Sequence, residues 1–237
     1  MNTERPLESQ NVGLIPDGNR RWAKHNHLEY GDAYCIAMNK LAASIDTLLD
    51  RGSSTVVIFA LSRDNLERRR DDLEAVCDAE EMFLTELLPS VKATHGAAVF
   101  HAGLVELLRK TYQRCLAGVC DADVDRRSAA PSIFVCAAYD PFDEIVASRD
   151  RFGRTDQETL AALWVPKSID LLIRTGGDQR LSGFLPLQCK YAEFFFEPYF
   201  FPDITTARIN DVVRRFTNRE RRLGKDGVAP SAPSQSG

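Results

Sequence analysis

The chain has 237 residues, of which 44% are hydrophobic and 27% are charged, a composition typical of a globular protein with a buried core. Its formal net charge of −4 argues against nucleic acid as the main partner, because proteins that bind the phosphate backbone usually carry a basic surplus. No apolar run approaches the roughly 18 residues needed to cross a bilayer, and the first ten residues lack the apolar stretch of a signal peptide. Six cysteines without a CxxC pair favour free thiols over zinc or disulfides. We therefore expect a cytoplasmic protein with no membrane span.

Short apolar runs alternate along the chain with longer segments in which apolar residues recur at helical spacing. The predicted strands are 11–16, 54–61, 97–101, 132–138, 169–173 and 192–196. The predicted helices are 30–50, 69–93, 104–115, 143–149 and 206–222. This alternation predicts an α/β fold with a central, mostly parallel, six-stranded sheet covered by helices.

A single domain is predicted to span residues 11–224, since no internal repeat or linker-like stretch interrupts it. Residues 1–10 are polar and are predicted to form a flexible N-terminus. Residues 225–237 are rich in serine, proline and glycine. Such a composition cannot supply a packed core, so we predict a disordered tail.

Three polar clusters follow predicted strands. PDGNRR (16–21) follows the first strand, SRDNLER (62–68) the second and RTGGDQRLS (174–182) the fifth. Ligands of open α/β sheets bind beyond the carboxyl ends of the strands. The clusters are therefore candidates for a shared binding site.

The first cluster combines groups suited to a phosphorylated ligand. Gly18 allows the backbone to approach a ligand closely, and Arg20 and Arg21 offer forked donors to phosphate oxygens. The carboxylate of Asp17 would repel a phosphate unless a cation lies between them, and Mg²⁺ commonly binds carboxylates together with substrate phosphates. The alternative is a plain turn with solvated arginines, because Asp-Gly pairs are common in turns.

The third cluster repeats this chemistry. Arg174 and Arg180 flank a pair of glycines, and Ser182 follows two residues later. A glycine pair alone is a weak signal, and the lysine spacing of a Walker motif is absent. Two clusters of arginine and glycine nevertheless suggest two anionic groups, and hence two phosphorylated substrates.

Four motifs carry a resemblance to a known family. They are DGN at 17–19 with RWA at 21–23, DLLIRTGG at 170–177 with RLS at 180–182, YAE at 191–193, and NRERRLG at 218–224. In this order they resemble the signature motifs of the cis-prenyltransferases, the undecaprenyl diphosphate synthase family. The resemblance covers almost everything from residue 11 to residue 224.

The resemblance implies a Mg²⁺-dependent transfer of prenyl groups between diphosphate substrates. Asp17 would bind the metal and help the allylic diphosphate to leave, and Glu193 matches a second acid associated with the metal. Asn65 matches a family asparagine in the loop after the second strand and is predicted to be catalytic. The residues to which the resemblance assigns substrate binding are Gly18, Asn19, Arg21, Ser62, Arg68, Arg174, Arg180 and Ser182. Arg222 and Gly224 match a C-terminal motif that reaches the partner subunit's site, which implies a homodimer.

Departures from the family pattern point to a subgroup. Pro16 stands where methionine is usual, Arg20 stands where glycine is usual and is expected to replace an arginine that the following loop lacks, and Pro186 interrupts an apolar run. Asp32 lies in the stretch where the family has a histidine. These features resemble the irregular, head-to-middle enzymes, the cyclolavandulyl and isosesquilavandulyl diphosphate synthases. They imply condensation of dimethylallyl diphosphate with dimethylallyl or geranyl diphosphate into a branched, lavandulyl-type diphosphate such as isosesquilavandulyl diphosphate.

Two alternative functions stay open. The first is an ordinary head-to-tail enzyme that uses isopentenyl diphosphate to make a short or medium (Z)-polyprenyl diphosphate. The second is a non-catalytic subunit, which the retention of Asp17, Arg174 and Arg180 disfavours.

Several single residues also have two interpretations. Asp32 is a candidate for the final proton abstraction, or it serves the amino terminus of the helix that begins near residue 30. Ser62 either contacts substrate or caps the following helix, and Glu193 could instead pair with an arginine. Met82 and Phe83 are bulky candidates for closing a short product tunnel, or they are plain core residues.

Overall fold

The computed structural model describes residues 6–219, so the predicted roles of Arg222 and Gly224, the end of the predicted last helix and the 225–237 tail lie outside the described residues. Within these residues, six strands form one sheet in the order β3-β4-β2-β1-β5-β6, and every neighbouring pair is parallel. The strands are β1 (Asn11–Ile15), β2 (Thr55–Ser62), β3 (Ala98–Ala102), β4 (Ser132–Tyr139), β5 (Leu171–Arg174) and β6 (Glu193–Phe196). The predicted α/β class and six-stranded sheet are confirmed.

Eight α-helices cover the sheet within residues 6–219. They are α1 (Asn19–His25), α2 (Tyr30–Asp50), α3 (Arg70–Met82), α4 (Leu88–His95), α5 (Lys110–Val119), α6 (Pro141–Ser148), α7 (Asp156–Ala162) and α8 (Thr206–Thr217). The prediction for α2 agrees with its observed bounds, whereas the short helices α1 and α7 were not predicted. The capping box of Thr155 and Glu158 at the start of α7 is a sequence signal that could have revealed it.

The single helix predicted over 69–93 is interrupted. A π-helical turn at Phe83–Leu87 separates α3 from α4. Pro89 lies in the first turn of α4 and has no N–H to donate to the carbonyl of Thr85, so the regular hydrogen-bond pattern is broken there. The helix predicted from residue 104 begins at Lys110, after a short 3₁₀ turn.

Hydrophobic cores lie on both faces of the sheet. Successive strand residues point to opposite faces, so Val56 and Ile58 of β2 pack with the core beneath α2, whereas Val57 packs with Phe134 and Phe184 on the other face. This explains why β2 reads as a continuous apolar run in the sequence.

Residues 6–10 pack against the loop that follows α2. The side chain of Leu7 is buried, and its backbone N–H donates to the carbonyl of Arg51 at 2.7 Å. Ser9 makes the equivalent bond to Gly52 at 3.0 Å. These contacts tie the second half of the expected flexible N-terminus to the body of the protein. In the described part of the chain, no helix combines the length and apolar character that a membrane span requires.

Candidate active site

A cavity of about 670 Å³ opens beyond the carboxyl ends of β1, β2 and β5. These three strands are neighbours in the sheet, so the polar segments that follow them meet at one edge. The cavity is lined by every predicted member of the three clusters: Asp17, Gly18, Asn19, Arg20, Arg21, Ser62, Asn65, Arg68, Arg174, Arg180 and Ser182. The clusters are thus brought together in one site.

The turn after β1 requires glycine at its second position. Gly18 has a φ of 103°, in the left-handed region that other residues rarely adopt. A Cβ atom there would lie 2.6 Å from Cδ1 and 3.1 Å from Cα of Phe200. The turn therefore packs directly on the chain that follows β6, and this contact fixes the position of Asp17 in the cavity wall.

The carboxylate of Asp17 joins the first and third clusters. Its Oδ2 accepts a hydrogen bond from Nη2 of Arg174 at 2.7 Å, and its Oδ1 accepts from the Gly18 N–H at 2.6 Å and from Nη2 of Arg21 at 3.4 Å. The hydroxyl of Thr175 also donates to the Asp17 carbonyl at 2.8 Å and accepts from its N–H at 3.0 Å. These bonds hold the side chain between two guanidinium groups.

Asp178 is a second carboxylate at the same place. Its Oδ2 lies 3.2 Å from Nη2 of Arg21, 3.1 Å from Nη2 of Arg180 and 3.9 Å from Nη2 of Arg174. Asp178 was not predicted as a site residue. Asp17 and Asp178 together neutralise the arginines at short range, so a diphosphate would compete with them for the same donors.

Arg174 is the most deeply placed cation of the site. Its side chain is 3% exposed, and its Nη1 donates to Oγ of Ser182 at 3.0 Å and to the carbonyl of Arg180. Its Nε has no hydrogen-bond partner within residues 6–219, and the same holds for Oδ1 of Asn19 and Nε of Arg20. Buried polar atoms are normally paired. The cavity wall therefore retains hydrogen-bonding capacity that a polar ligand would satisfy.

The loop after β2 contributes a rigid polar wall. The hydroxyl of Ser62 accepts from the N–H of Asn65 at 3.2 Å, and the Asn65 side chain accepts from the Ser62 N–H at 3.4 Å. This reciprocal pair confirms the capping interpretation of Ser62. Both residues also line the cavity, so capping and ligand contact are compatible.

Two further arginines are fixed by neighbouring helices. Nη2 of Arg20 lies 3.0 Å from Oδ2 of Asp72 on α3, and its guanidinium stacks 5.2 Å from the ring centre of Tyr30. Arg68 donates to the hydroxyl of Tyr34 on α2 at 3.1 Å. Arg20, which departs from the family pattern, is therefore part of the cavity wall, with 43% of its side chain exposed.

Asp32 does not lie with these residues. It is exposed in the first turn of α2, outside the cavity wall. The prediction of a catalytic Asp32 is therefore not supported, and the position agrees with the electrostatic alternative at a helix amino terminus. The register of α2 turns Tyr34 and Met38 toward the cavity instead.

Glu193 also lies away from Asp17. It pairs with Leu171, which pairs with Val12, so Glu193 is level with the beginning of β1. At about 3.3 Å per residue, the end of β1 at Ile15 is roughly 10 Å farther along the sheet. The Glu193 carboxylate accepts a hydrogen bond from Arg219 at 3.3 Å, as in the alternative interpretation. Within one chain, Asp17 and Glu193 do not meet at a common metal site.

Three further polar residues of the wall were not predicted as site residues: Lys24, Tyr34 and Glu80. Glu80 is buried on α3, where the hydroxyl of Tyr112 donates to its Oε2 at 2.6 Å, and burial raises the pKa of Glu80 to about 7. A carboxyl one turn after Val76, within the buried stripe of α3, was the signal that could have revealed it.

The charges of the wall suit a phosphorylated ligand. Six cationic side chains and three carboxyl groups line the cavity, although the whole chain is net negative. Residues 6–219 contain no group of three or more histidine, cysteine, aspartate or glutamate side chains that could enclose a metal. The donor set fits Mg²⁺ in its usual mode, in which one or two carboxylates bind the ion and phosphate oxygens complete its shell. Asp17 and Asp178 are the carboxylates in place for this.

The sequence is similar to known proteins over most of its length. A family model described as "Putative undecaprenyl diphosphate synthase" matches residues 15–224. A geranylgeranyl-diphosphate-specific tritrans,polycis-undecaprenyl-diphosphate synthase of Pyrococcus abyssi is 30% identical, over 91% of this chain and 87% of that protein. A chloroplastic nerylneryl diphosphate synthase of Solanum lycopersicum is 28% identical, over 92% of this chain and 71% of that protein.

A solved structure shows the same fold. The lavandulyl diphosphate synthase of Lavandula x intermedia, in complex with dimethylallyl diphosphate, superposes with a TM-score of 0.81 and 24% identity, over 92% of this chain and 99% of that chain. The family match covers both arginine clusters and the carboxylates between them. The chain therefore belongs to the undecaprenyl diphosphate synthase family of cis-prenyltransferases, and it is a prenyltransferase.

Proposed function

We propose that this prenyltransferase joins two short allylic diphosphates head to middle, using dimethylallyl diphosphate as acceptor and dimethylallyl or geranyl diphosphate as donor. The observation that carries the proposal is the pair of arginine clusters on either side of Asp17, which offers one cavity with places for two diphosphates. The product would be a branched, lavandulyl-type diphosphate.

The first cluster would hold the donor. Gly18 allows close approach of the donor diphosphate, and Arg20 and Arg21 supply forked donors to its oxygens. Asp17 would hold Mg²⁺ together with these oxygens, and the ion would neutralise the charge that develops on the leaving diphosphate. In the absence of ligand, Arg174 and Arg21 keep the Asp17 carboxylate in position.

The third cluster would hold the acceptor. Arg174 and Arg180 bind its diphosphate, and Ser182 fixes the orientation of Arg174 through their hydrogen bond. The donor's bond between carbon and oxygen breaks with its electron pair leaving on diphosphate. The acceptor's double bond then forms the new carbon–carbon bond, and a proton is lost to the released diphosphate. Asp32 has no part in this scheme, because it lies outside the cavity.

The departures from the family pattern support the head-to-middle reaction. Arg20 replaces a glycine and adds a guanidinium to the wall beside the donor turn, tied to Asp72. The pattern PDG followed by two arginines at residues 16–21 is also a feature by which the sequence resembles the head-to-middle subgroup. The names of the sequence relatives favour the head-to-tail alternative instead, in which isopentenyl diphosphate is the acceptor.

The substrate requirement separates the two reactions. The purified chain is incubated with Mg²⁺ and either dimethylallyl diphosphate alone or dimethylallyl and geranyl diphosphates together. Each mixture is prepared with and without isopentenyl diphosphate, and the release of diphosphate is measured. We expect release without isopentenyl diphosphate, and its loss in Asp17→Ala. Turnover that begins only when isopentenyl diphosphate is added would establish the head-to-tail alternative. A chain inactive with every pair would overturn the proposed choice of short allylic substrates.

We also propose that the enzyme acts as a homodimer. β6 is an edge strand of the sheet, and apolar side chains are exposed on and near it, including Tyr191 and Phe194. Unpaired edge strands with exposed apolar residues commonly pair with another chain. Light scattering after gel filtration should give twice the mass of one chain, and a monomer that is fully active would contradict the proposal.

A further inference from the structure

One wall of the cavity contains a buried carboxyl that the proposed chemistry does not use. Glu80 is 2% exposed and lines the cavity on α3, one helical turn after Val76. The residues that face the same cavity from α2 are Tyr34, Met38 and Leu41. Val76, Met38 and Leu41 make this part of the wall largely apolar, as suits a hydrocarbon chain, whereas Tyr34 presents a hydroxyl that accepts a hydrogen bond from Arg68.

The position of Glu80 along α3 indicates how far the apolar part of the cavity extends from the donor turn. Asp72, in the first turn of α3, binds Arg20 beside the donor turn. Glu80 lies two turns farther along the helix, at a distance of about 12 Å for a rise of 1.5 Å per residue. A prenyl chain whose diphosphate is bound near Arg20 would therefore extend along Val76 toward Glu80.

The space behind Glu80 is filled by buried side chains. The hydroxyl of Tyr112 on α5 donates to Oε2 of Glu80, and Tyr112 is itself fully buried. Phe83 and Leu84, which follow on the next turn, belong to the hydrophobic core and do not line the cavity. Met82 is also outside the wall, so the two bulky residues predicted to close the tunnel are not the ones that do so.

We propose that Glu80, held by Tyr112, forms a polar end to the apolar part of the cavity and restricts the allylic donor to short prenyl chains. A longer chain would have to press apolar carbon against a carboxyl group that has one hydrogen bond within residues 6–219, and contact of this kind is unfavourable compared with an apolar wall. The inference rests on prenyl transfer by this site. It does not depend on whether the new bond is head to middle or head to tail.

The test compares donors of different length by binding. Dimethylallyl, geranyl and farnesyl S-thiolodiphosphates bind without turnover, and their dissociation constants are measured calorimetrically with Mg²⁺. The variants are Glu80→Leu, which removes the polar group, and Glu80→Gln, which keeps a polar side chain of the same size. Glu74→Leu is the matched control, because Glu74 is an exposed residue on the same helix.

We expect the wild type, Glu80→Gln and Glu74→Leu to bind the farnesyl analogue about tenfold more weakly than the geranyl analogue, and Glu80→Leu to abolish this difference. If Glu80→Leu fails to fold, Glu80→Met provides the same comparison with a flexible side chain. Equal binding of both analogues by the wild type, or an unchanged ratio in a folded apolar variant, would overturn the proposal. Failure of the head-to-middle reaction would appear in the product and would leave these ratios unaffected.

Discussion

The two ends of the cavity are built in different ways. The diphosphate end is assembled from loops that follow β1, β2 and β5, and its arginines and carboxylates hold one another at 2.7 to 3.4 Å. The apolar end is formed by side chains one or two turns apart on α2 and α3. The first end contains the motifs of the family and its common chemistry. The second contains no motif, yet it decides which hydrocarbon chain fits.

Removal of Arg174 should have the largest effect on the diphosphate end. Arg174→Ala leaves Asp17 without its closest charged partner and the acceptor diphosphate without its buried donor. We expect kcat/KM to fall by about 10³-fold for every donor length, because charge stabilisation in a buried site is lost. Steady-state kinetics measure this, with the exposed Arg70→Ala as control. A loss confined to one donor length would contradict the separation of the two ends.

Neutralisation of Asp17 should have the next largest effect. Asp17→Asn retains an acceptor for the Gly18 N–H but removes the charge that a cation requires. We expect kcat to fall by about 10²-fold and the response to added Mg²⁺ to weaken. The control is Asp156→Asn, which alters an exposed ion pair with Lys190. An unchanged Mg²⁺ titration in Asp17→Asn would show that another residue holds the metal.

The apolar end should respond to pH through Glu80. Because burial raises the pKa of Glu80 from 4.5 to about 7, the folded state binds its proton more tightly than the unfolded state. The associated stability is therefore fully present below pH 4.5 and is lost as the pH rises through 7. Between pH 5 and 8 the wild type should lose about 2 kcal/mol of unfolding free energy relative to Glu80→Gln.

Denaturant unfolding of both proteins across this pH range measures the difference. Titration of the remaining groups cancels in the comparison, since the variants differ at one site. The groups that face Glu80 are Tyr112, Tyr34, Cys77 and the Arg68 guanidinium, and burial raises the pKa of both tyrosines and of Cys77 above their usual values. Parallel pH profiles would mean that the pKa of Glu80 is not raised in the folded state, which would contradict its burial among the groups that line this end of the cavity.

Substitution of Arg20 should have the smallest effect on the kinetics, and it tests where the diphosphate end of the cavity meets the apolar end. The guanidinium of Arg20 forms an ion pair with Asp72, and the residue also lines the cavity. We expect Arg20→Ala to raise the KM of the donor about tenfold with little change in kcat, as for loss of one charge-assisted contact. Asp72→Asn removes the partner but keeps the guanidinium, and should raise KM less. An equal effect in both variants would assign Arg20 a purely structural role.

The sequence predicted the sheet well and the helices less well. β-branched runs bounded by turn residues placed all six strands within two residues of their observed limits. The break between α3 and α4 was missed because apolar spacing continues through Pro89. The diphosphate end could be predicted because the carboxyl ends of parallel strands lie at the same edge of the sheet. Polar clusters that follow neighbouring strands therefore meet there, whatever the exact register of the strands.

Other site residues could not be placed in this way. Glu193 was assigned to the metal by its motif, but the pairing register puts it at the opposite end of β5. Asp32 directly precedes Ala33 and Tyr34, which lie on the buried face of α2, but Asp32 itself is exposed. Only the observed start of the helix shows on which face each of these residues lies. Asp178 became visible as a site residue only when tertiary contacts brought Arg21 beside it. Glu80 had a sequence signal in the buried stripe of α3, but its contact with Tyr112 of α5 is visible only in the structure.

The carbon skeleton of the product tests the central claim most directly. Dimethylallyl and geranyl diphosphates are incubated with the wild-type protein and Mg²⁺, the product is dephosphorylated, and its connectivity is determined by NMR. We expect a branched alcohol in which the new bond joins the donor's first carbon to an internal carbon of the acceptor. The absence of any product from this mixture, with a linear product formed once isopentenyl diphosphate is added, would contradict the head-to-middle reaction.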